Sequence, residues 1–302
     1  MALSNDDPPQ KFYTTSATIF LVTLLLAWLV GGGTGLVTCA LAAFAIQWIA
    51  FVPSSMMQDE KAFDLVGSMS YLALMGYSLS LGEGGPRQIL VTVLVSIWAA
   101  RLGSFLFARV QRAGNDGRFD QIKVYPARFF SVWTIQGLWV FLTAFAALVI
   151  NTATPASSLG LLDYVGTAVW ITGFGVEAIS DWQKSSFNAN PHNKGRFITS
   201  GFWATSRHPN YFGEILLWCG IALIGASVFT GWQWLALLSP AFVAVLLTQV
   251  SGIPLLEARA DKKWGSDPAY QAYKAKVSVL VPRPDPDDGA YVRNAPEHAE
   301  AH

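Results

Sequence analysis

The sequence predicts an all-α integral membrane protein, a bundle of seven or eight transmembrane helices. Two observations predict this class: the composition, and a series of long apolar runs. Hydrophobic residues make up 52% of the 302-residue chain and charged residues only 13%, against roughly 25% charged in soluble domains. Much of the chain therefore has to face lipid. The formal net charge is zero, which argues against a nucleic-acid partner.

Eight apolar runs approach the length of about 20 residues that a helix needs to cross the hydrocarbon core. The links Gly31–Gly33 and Thr230–Gly231 suit tight helical hairpins. Seven spans remain if one early segment is re-entrant or merged. The runs cover roughly 12–30, 34–52, 63–81, 88–108, 129–150, 159–180, 209–229 and 232–250.

Basic residues are concentrated in the 109–128 loop, the 181–208 loop and the tail after residue 250, whereas the 151–158 and 230–231 links have none. The positive-inside rule places the three basic segments in the cytoplasm. We expect a multi-pass protein, in the inner membrane if the source is bacterial, and no removable signal peptide. Cys39 and Cys219 lie in apolar runs, so neither a disulfide framework nor a metal site is expected.

Three regions follow from composition. We expect a flexible N-terminus over residues 1–10, a single membrane domain over 11–282 and a disordered tail over 283–302. The segment Glu257–Lys276 reads as a polar helix or helix pair, which Pro282, Pro284 and Pro286 end. No internal repeat is evident.

The most informative motif is the segment 206–220, SRHPNYFGEILLWCG. Pro209 suits the first turn of a helix. Asn210, Glu214 and Trp218 then follow at four-residue spacing, so they share one helical face. An ionisable residue such as Glu214 inside an apolar helix is costly, which indicates a functional site.

A second acidic pair, Glu177 and Asp181, also lies four residues apart on one predicted helix. These carboxylates could accept hydrogen bonds from ribose hydroxyls or an amide, or Asp181 could mark the membrane boundary beside Lys184. The string Gly173–Ala178 matches G-x-G-x-x-A but lies inside a helix, so it is no dinucleotide fingerprint. Its glycines more plausibly permit close helix packing.

Cations of the 181–208 loop converge on one membrane face, where they could bind phosphates or reflect ordinary positive-inside bias. Arg207 and His208 directly precede a helix N-terminus, which also favours anions. Tyr270, Tyr273 and Lys274 of the tail could cap a cofactor or belong to an interfacial helix with an aromatic belt. The loop cations are Lys184, Lys194, Arg196, Arg207 and His208.

A third polar face joins Asp64, Ser68 and Tyr71, which could donate hydrogen bonds to a substrate oxygen. Alternatively, Asp64 is a carboxylate favoured by the helix dipole. Trp98 and Arg101 on the next helix could complete the same cavity, or could be a belt residue and its snorkelling neighbour.

The segments SRHPNYFGEILLWCG, GVEAISDWQKSSF and LEARADKKWGSDPAYQAYK resemble the steroid 5α-reductase superfamily, and more narrowly its bacterial branch, over roughly residues 60–282. The resemblance implies a membrane enzyme that binds NADPH in the bundle, capped by a cytoplasmic loop and tail. It implies reduction of the C=C bond of a 3-oxo-4-ene steroid or related lipophilic enone. We expect a monomer that contacts membrane lipid.

Individual positions carry over from this resemblance. Asn210, Glu214 and Asp181 match cofactor-contacting positions, and Glu177 aligns where some members carry Asn. Trp218 matches a position that lines the substrate cavity, with Trp98 along the same wall. The predicted cofactor-binding residues are Glu177, Asp181, Lys184, Arg196, Arg207, His208, Asn210, Tyr211, Glu214, Tyr270, Tyr273 and Lys274.

The catalytic positions depart from the family pattern. Mammalian members hold the 3-keto oxygen with an acid and a tyrosine on the next helix; by spacing, Asp64 aligns with the acid, but Trp98 takes the place of the tyrosine. Tyr71 is the substitute on the same face as Asp64. We therefore expect Asp64 first, Tyr71 second and Trp98 third as the donor to the carbonyl oxygen.

Two other classes remain open. Isoprenylcysteine-type methyltransferases, which bind S-adenosylmethionine, share Arg207-His208-Pro209 and the segment from Glu257 to Tyr270. Asn210, Glu214 and the acids of the 160–187 segment favour the reductase. The third, non-enzymatic class is a small-molecule carrier or a sterol-sensing bundle; inverted repeats would favour a transporter, and none is evident.

Overall fold

The computed structural model describes residues 7–113, 119–154 and 158–283, and side chains 112–113 are left aside. The predicted disordered tail, apart from Arg283, and the first six residues of the predicted flexible N-terminus lie outside these ranges. Helix α1 begins at Pro9. The helices are α1 (Pro9–Gly31), α2 (Thr34–Met57), α3 (Phe63–Leu81), α4 (Pro86–Ala113), α5 (Pro126–Thr152), α6 (Leu161–Ala189), α7 (Pro209–Gly225), α8 (Leu238–Val245), α9 (Ile253–Trp264) and α10 (Pro268–Lys276).

Each of the eight predicted apolar runs contains helix, and the described residues contain no strand beyond one isolated bridge between Ser206 and Ser278. The last run is a 3₁₀ segment (Gly231–Leu237), α8 and a π-helical segment (Leu246–Val250) in succession. These findings confirm the all-α prediction. The predicted tail helices are confirmed as the pair α9 and α10.

Within the described residues, five helical segments are long and apolar enough to cross a membrane, which confirms a multi-pass protein. Helix α3 is less apolar because Asp64 and several serines interrupt it, and α7 has only 17 residues. The five segments are Pro9–Gly31, Thr34–Met57, Pro86–Gln111, Pro126–Thr152 and Gly231–Trp264.

The chain divides into two compact units, one from residues up to Gly166 with Ile221–Ser239, the other from Thr167–Gly220 with the residues from Pro240 onward. The predicted single domain over 11–282 stays a prediction. In the first unit α5 is central: 78% of its most apolar window is buried, against 22% to 39% in the other four candidate spans. Helices α1 to α4 pack against it.

The first unit also contains a buried ion pair that the sequence analysis missed. Arg87 at the start of α4 donates from Nε and Nη2 to the two carboxylate oxygens of Asp163 in α6, at 2.6 and 2.7 Å. The Asp163 side chain is fully buried and that of Arg87 is 7% exposed. A buried charge that loses its counter-charge is strongly destabilising. This ion pair therefore fixes the start of α6 against α4.

In the second unit, two glycines allow α6 and α7 to touch backbone to backbone. A Cβ at Gly173 would lie 2.5 Å from Leu217 N, and one at Gly213 would lie 2.5 Å from Glu177 N. Gly175, by contrast, faces open space. The close-packing interpretation of the 173–178 string is therefore right for Gly173 and wrong for Gly175.

Candidate functional site

The contact between α6 and α7 brings two of the predicted site residues into a direct hydrogen bond. Asn210 in the first turn of α7 donates from Nδ2 to Asp181 Oδ1 of α6 at 3.1 Å. Asp181 is 8% exposed and Glu177, one turn earlier, 2% exposed. Glu214, one turn after Asn210, is half-buried. The second unit thus holds three acids and an amide along two helices in contact.

Three predicted cations meet at a carboxylate that the sequence analysis did not include among its site residues. Glu257 of α9 lies 3.1 Å from Arg207 Nη2, 2.9 Å from His208 Nε2 and 3.5 Å from Lys274 Nζ. The Glu257 side chain is only 18% exposed. Arg207 and His208 were predicted for phosphates and Lys274 for a cap over the cofactor, and in this structure their common partner belongs to the protein itself.

Arg207 also ties the loop before α7 to the segment after α10. Its Nη1 donates to Lys274 O at 2.5 Å, and its backbone N–H donates to Ser278 O at 2.9 Å. The hydroxyl of Ser206 donates to Leu280 O at 2.7 Å. The end of the described chain is therefore bonded to the residues that precede the helix carrying Asn210 and Glu214.

His208 is buried, with 5% of its surface exposed. Burial lowers its pKa, and the Lys184 and Arg207 charges act in the same direction, while the hydrogen bond and charge of Glu257 oppose them. Its ring stacks on Tyr211, with centroids 5.7 Å apart. Among the described residues Nδ1 of His208 has no hydrogen-bond partner.

The two predicted tail tyrosines are buried in protein, not exposed as an aromatic belt would be. Tyr273 donates to Trp203 O at 2.8 Å, and Tyr270 donates to Asp261 at 3.2 Å. Burial and the nearby carboxylates of Glu257 and Asp261 raise the pKa of Tyr270 to about 12. The Tyr270 hydroxyl therefore stays protonated, and the two tyrosine hydrogen bonds hold α10 in place.

We call Glu257 with Arg207, His208 and Lys274 the Glu257 cluster. Two other loop cations, Lys184 and Arg196, have different surroundings. Lys184 lies over the Trp203 ring, with Nζ 4.3 Å from its centroid. The Arg196 side chain is exposed. Trp218, one turn beyond Glu214, is fully buried, as a wall residue would be.

The predicted catalytic residues belong to the first unit. Tyr71 and Trp98 are both buried, and their rings meet edge to face with centroids 5.0 Å apart. Asp64, in the first turn of α3, lies 3.7 Å from Arg109 Nη2 of α4. A carboxylate paired with a guanidinium accepts hydrogen bonds, so this geometry favours Tyr71 over Asp64 as a donor. The ranking of Asp64 first stays a prediction.

Comparison with known proteins gives the family. The model of the family described as "Protein of unknown function (DUF1295)" matches residues 50–277, about three quarters of the chain, so the chain belongs to this family. It is also 23% identical, over 308 residues, to the uncharacterized protein C594.04c of Schizosaccharomyces pombe, covering 91% of this chain and 82% of that relative. No solved structure matches it.

Proposed function

We propose that this member of the DUF1295 family is a membrane reductase that uses NADPH to reduce the C=C bond of a 3-oxo-4-ene steroid or related lipophilic enone. The observation that carries the proposal is the polar group formed by the buried Glu177 and Asp181 and the half-buried Asn210. Carboxylates in apolar helices are costly unless they bind polar partners, and a nucleotide offers several. The resemblance of the motifs to steroid 5α-reductases supports the same reading.

The residues present fit a nicotinamide nucleotide. Ribose hydroxyls and a carboxamide need hydrogen-bond acceptors, which Asp181 and Glu214 supply. They also need an amide group, which Asn210 supplies. Buried polar atoms remain for a ligand: His208 Nδ1 and Arg207 Nε have no hydrogen-bond partner among the described residues. Glu257 competes with phosphate for Arg207, however, so we assign the phosphates chiefly to Lys184 and Arg196.

NADPH, when bound, supplies a hydride to the β-carbon of the enone. The contribution of the chain is orientation and exclusion of water. Asn210 binds one carboxylate oxygen of Asp181, which keeps the other oxygen directed at the ligand. Glu214 accepts a hydrogen bond from the carboxamide, and Trp218 provides an apolar wall.

Hydride addition leaves negative charge on the substrate carbonyl oxygen, a positioned donor stabilises it, and the α-carbon then takes a proton that comes from water. We propose the Tyr71 hydroxyl for this role, with Asp64 as the alternative and Trp98 as a wall of the substrate cavity. The tyrosine hydroxyl is a hydrogen-bond donor, whereas the Asp64 carboxylate is paired with Arg109, 3.7 Å away.

We place the cofactor side in the cytoplasm, because the 181–208 loop and the tail after residue 250 carry the basic residues.

The test is turnover of a 3-oxo-4-ene steroid with deuterium-labelled NADPH by purified protein. We expect a product that has gained one deuterium, on the β-carbon, and one ordinary hydrogen. Mass spectrometry detects both gains. Wild-type protein that binds NADPH but reduces no member of a panel of enones would refute the proposed substrate class.

A further inference from the structure

The ring nitrogens of His208 have different surroundings, and this difference assigns their hydrogens. Nε2 lies 2.9 Å from Glu257 Oε1. An ionised carboxylate only accepts, so Nε2 carries the hydrogen of this bond. Nδ1 is buried and contacts no donor or acceptor within the part of the chain that the structure describes.

The charge on the ring follows from the groups around it. Glu257 of α9 is the facing anion, but it also pairs with Arg207 and with Lys274 of α10. Lys184 of α6 and Arg207 add positive charge next to the ring, and the ring is removed from water. Both effects disfavour a second proton. A neutral ring with hydrogen on Nε2 has a lone pair on Nδ1.

We propose that His208 is a neutral hydrogen-bond acceptor for the ligand: its Nδ1 takes the hydrogen of a ribose hydroxyl or an amide N–H of the nucleotide. The residue is then not a phosphate ligand, because a lone pair repels phosphate oxygens. This inference rests on the proposed function, since it assigns one ligand group within the proposed cofactor site. A buried acceptor without a donor is costly, and a bound hydroxyl or amide removes that cost.

The first test needs no ligand. Histidine labelled with nitrogen-15 reports directly which ring nitrogens carry hydrogen, and the sequence has only four histidines. Comparison with His208→Gln identifies the signals of His208, and the exposed His192 gives the reference ring. At about pH 7 we expect a bare Nδ1 and a protonated Nε2. Hydrogen on Nδ1, in either the charged ring or the other tautomer, would overturn the proposal.

The second test uses two substitutions, each of which keeps one of the two hydrogen-bonding roles of the His208 ring. The glutamine amide reaches the place of Nε2, so His208→Gln can still donate to Glu257 but loses the Nδ1 acceptor. The asparagine amide oxygen lies near the place of Nδ1, so His208→Asn keeps an acceptor and loses the Glu257 contact. The matched control is His192→Gln, on the exposed turn Pro191–Asn193.

We expect His208→Gln to raise the Kd for NADPH about tenfold, because the buried ligand donor loses its partner. His208→Asn should raise it less, and His192→Gln should leave it unchanged. The ratio of the His208→Gln and wild-type Kd values should stay constant between about pH 6.5 and pH 8, since the titration of the ligand phosphate cancels in that ratio. A ratio that falls as pH rises, or a larger loss in His208→Asn, would overturn the proposal.

The two tests separate the inference from the proposed function. If wild-type protein binds no NADPH, the proposed function fails, while the nitrogen-15 spectrum still decides the state of His208. If NADPH binds and Nδ1 carries hydrogen, the proposed function stands and this inference fails.

Discussion

Replacing Glu257 by Gln removes a negative charge that Arg207, His208 and Lys274 share. The carboxylate is 18% exposed and the Arg207 side chain 10%, so a cation is left largely buried beside a neutral amide. Breaking a buried pair in this way costs about 3–5 kcal/mol of unfolding free energy. Partial exposure places this case at the low end, about 3 kcal/mol.

The matched control lies one turn further along the same helix. Asp261 also pairs with Lys274, at 2.6 Å, but its side chain is 43% exposed. Water and salt screen such a pair, so Asp261→Asn should cost less than about 1 kcal/mol. Each variant removes one negative charge from α9, and the two carboxylates differ in burial.

Thermal unfolding in detergent measures both. At roughly 2 °C per kcal/mol for a chain of this size, we expect Tm to fall by about 6 °C in Glu257→Gln and by about 2 °C or less in Asp261→Asn. Added salt should shrink the second effect more than the first. Equal shifts of Tm in the two variants would refute the view that the buried contacts of Glu257 hold the tail against the loop before α7.

Four further outcomes are expected. Asp163→Asn should lower the unfolding free energy by about 3–5 kcal/mol, because a buried guanidinium loses its counter-charge; chemical denaturation measures it. Gly213→Ala should cost about 1–3 kcal/mol and weaken NADPH binding, because the methyl group meets α6 backbone, whereas Gly175→Ala, facing open space, should be neutral or stabilising in the same assays. Because the pKa of His208 is lowered in the folded state, the unfolded chain binds the extra proton first. Wild-type stability should therefore fall as pH drops below about 6.5, a slope that His208→Gln should reduce. Tyr71→Phe should lower kcat for enone reduction by about 10²-fold or more with the Kd for NADPH unchanged; unaltered turnover would remove this residue from the mechanism.

Local patterns in the sequence predicted the helices and one half of the site. The apolar runs placed helix in all eight segments, since hydropathy and length are properties of a single stretch of chain. The four-residue spacings of Asn210 with Glu214 and of Glu177 with Asp181 put each pair on one helix face. The hydrogen bond between Asn210 and Asp181 then needed only that α6 and α7 touch, which Gly173 made plausible from sequence.

The Glu257 cluster could not be predicted in this way. Glu257 lies about fifty residues after Arg207 and His208 in the chain, on a separate helix, and no periodicity connects them. Positive-inside bias explains cations on one membrane face but does not reveal their partners. The contact of Asp64 with Arg109 was missed for the same reason, because Arg109 was counted only as a loop charge.

The measurement that tests the central claim most directly is a titration of the purified protein, in detergent or nanodiscs, with NADPH, NADH and S-adenosylmethionine. Wild-type protein should bind NADPH, and Glu214→Gln and Asn210→Ala should bind it more weakly while remaining folded. The larger loss is expected for Glu214→Gln, because it removes a charged hydrogen bond, about 2–5 kcal/mol if that bond is buried. Binding of S-adenosylmethionine without binding of NADPH would contradict the reductase and favour the methyltransferase class.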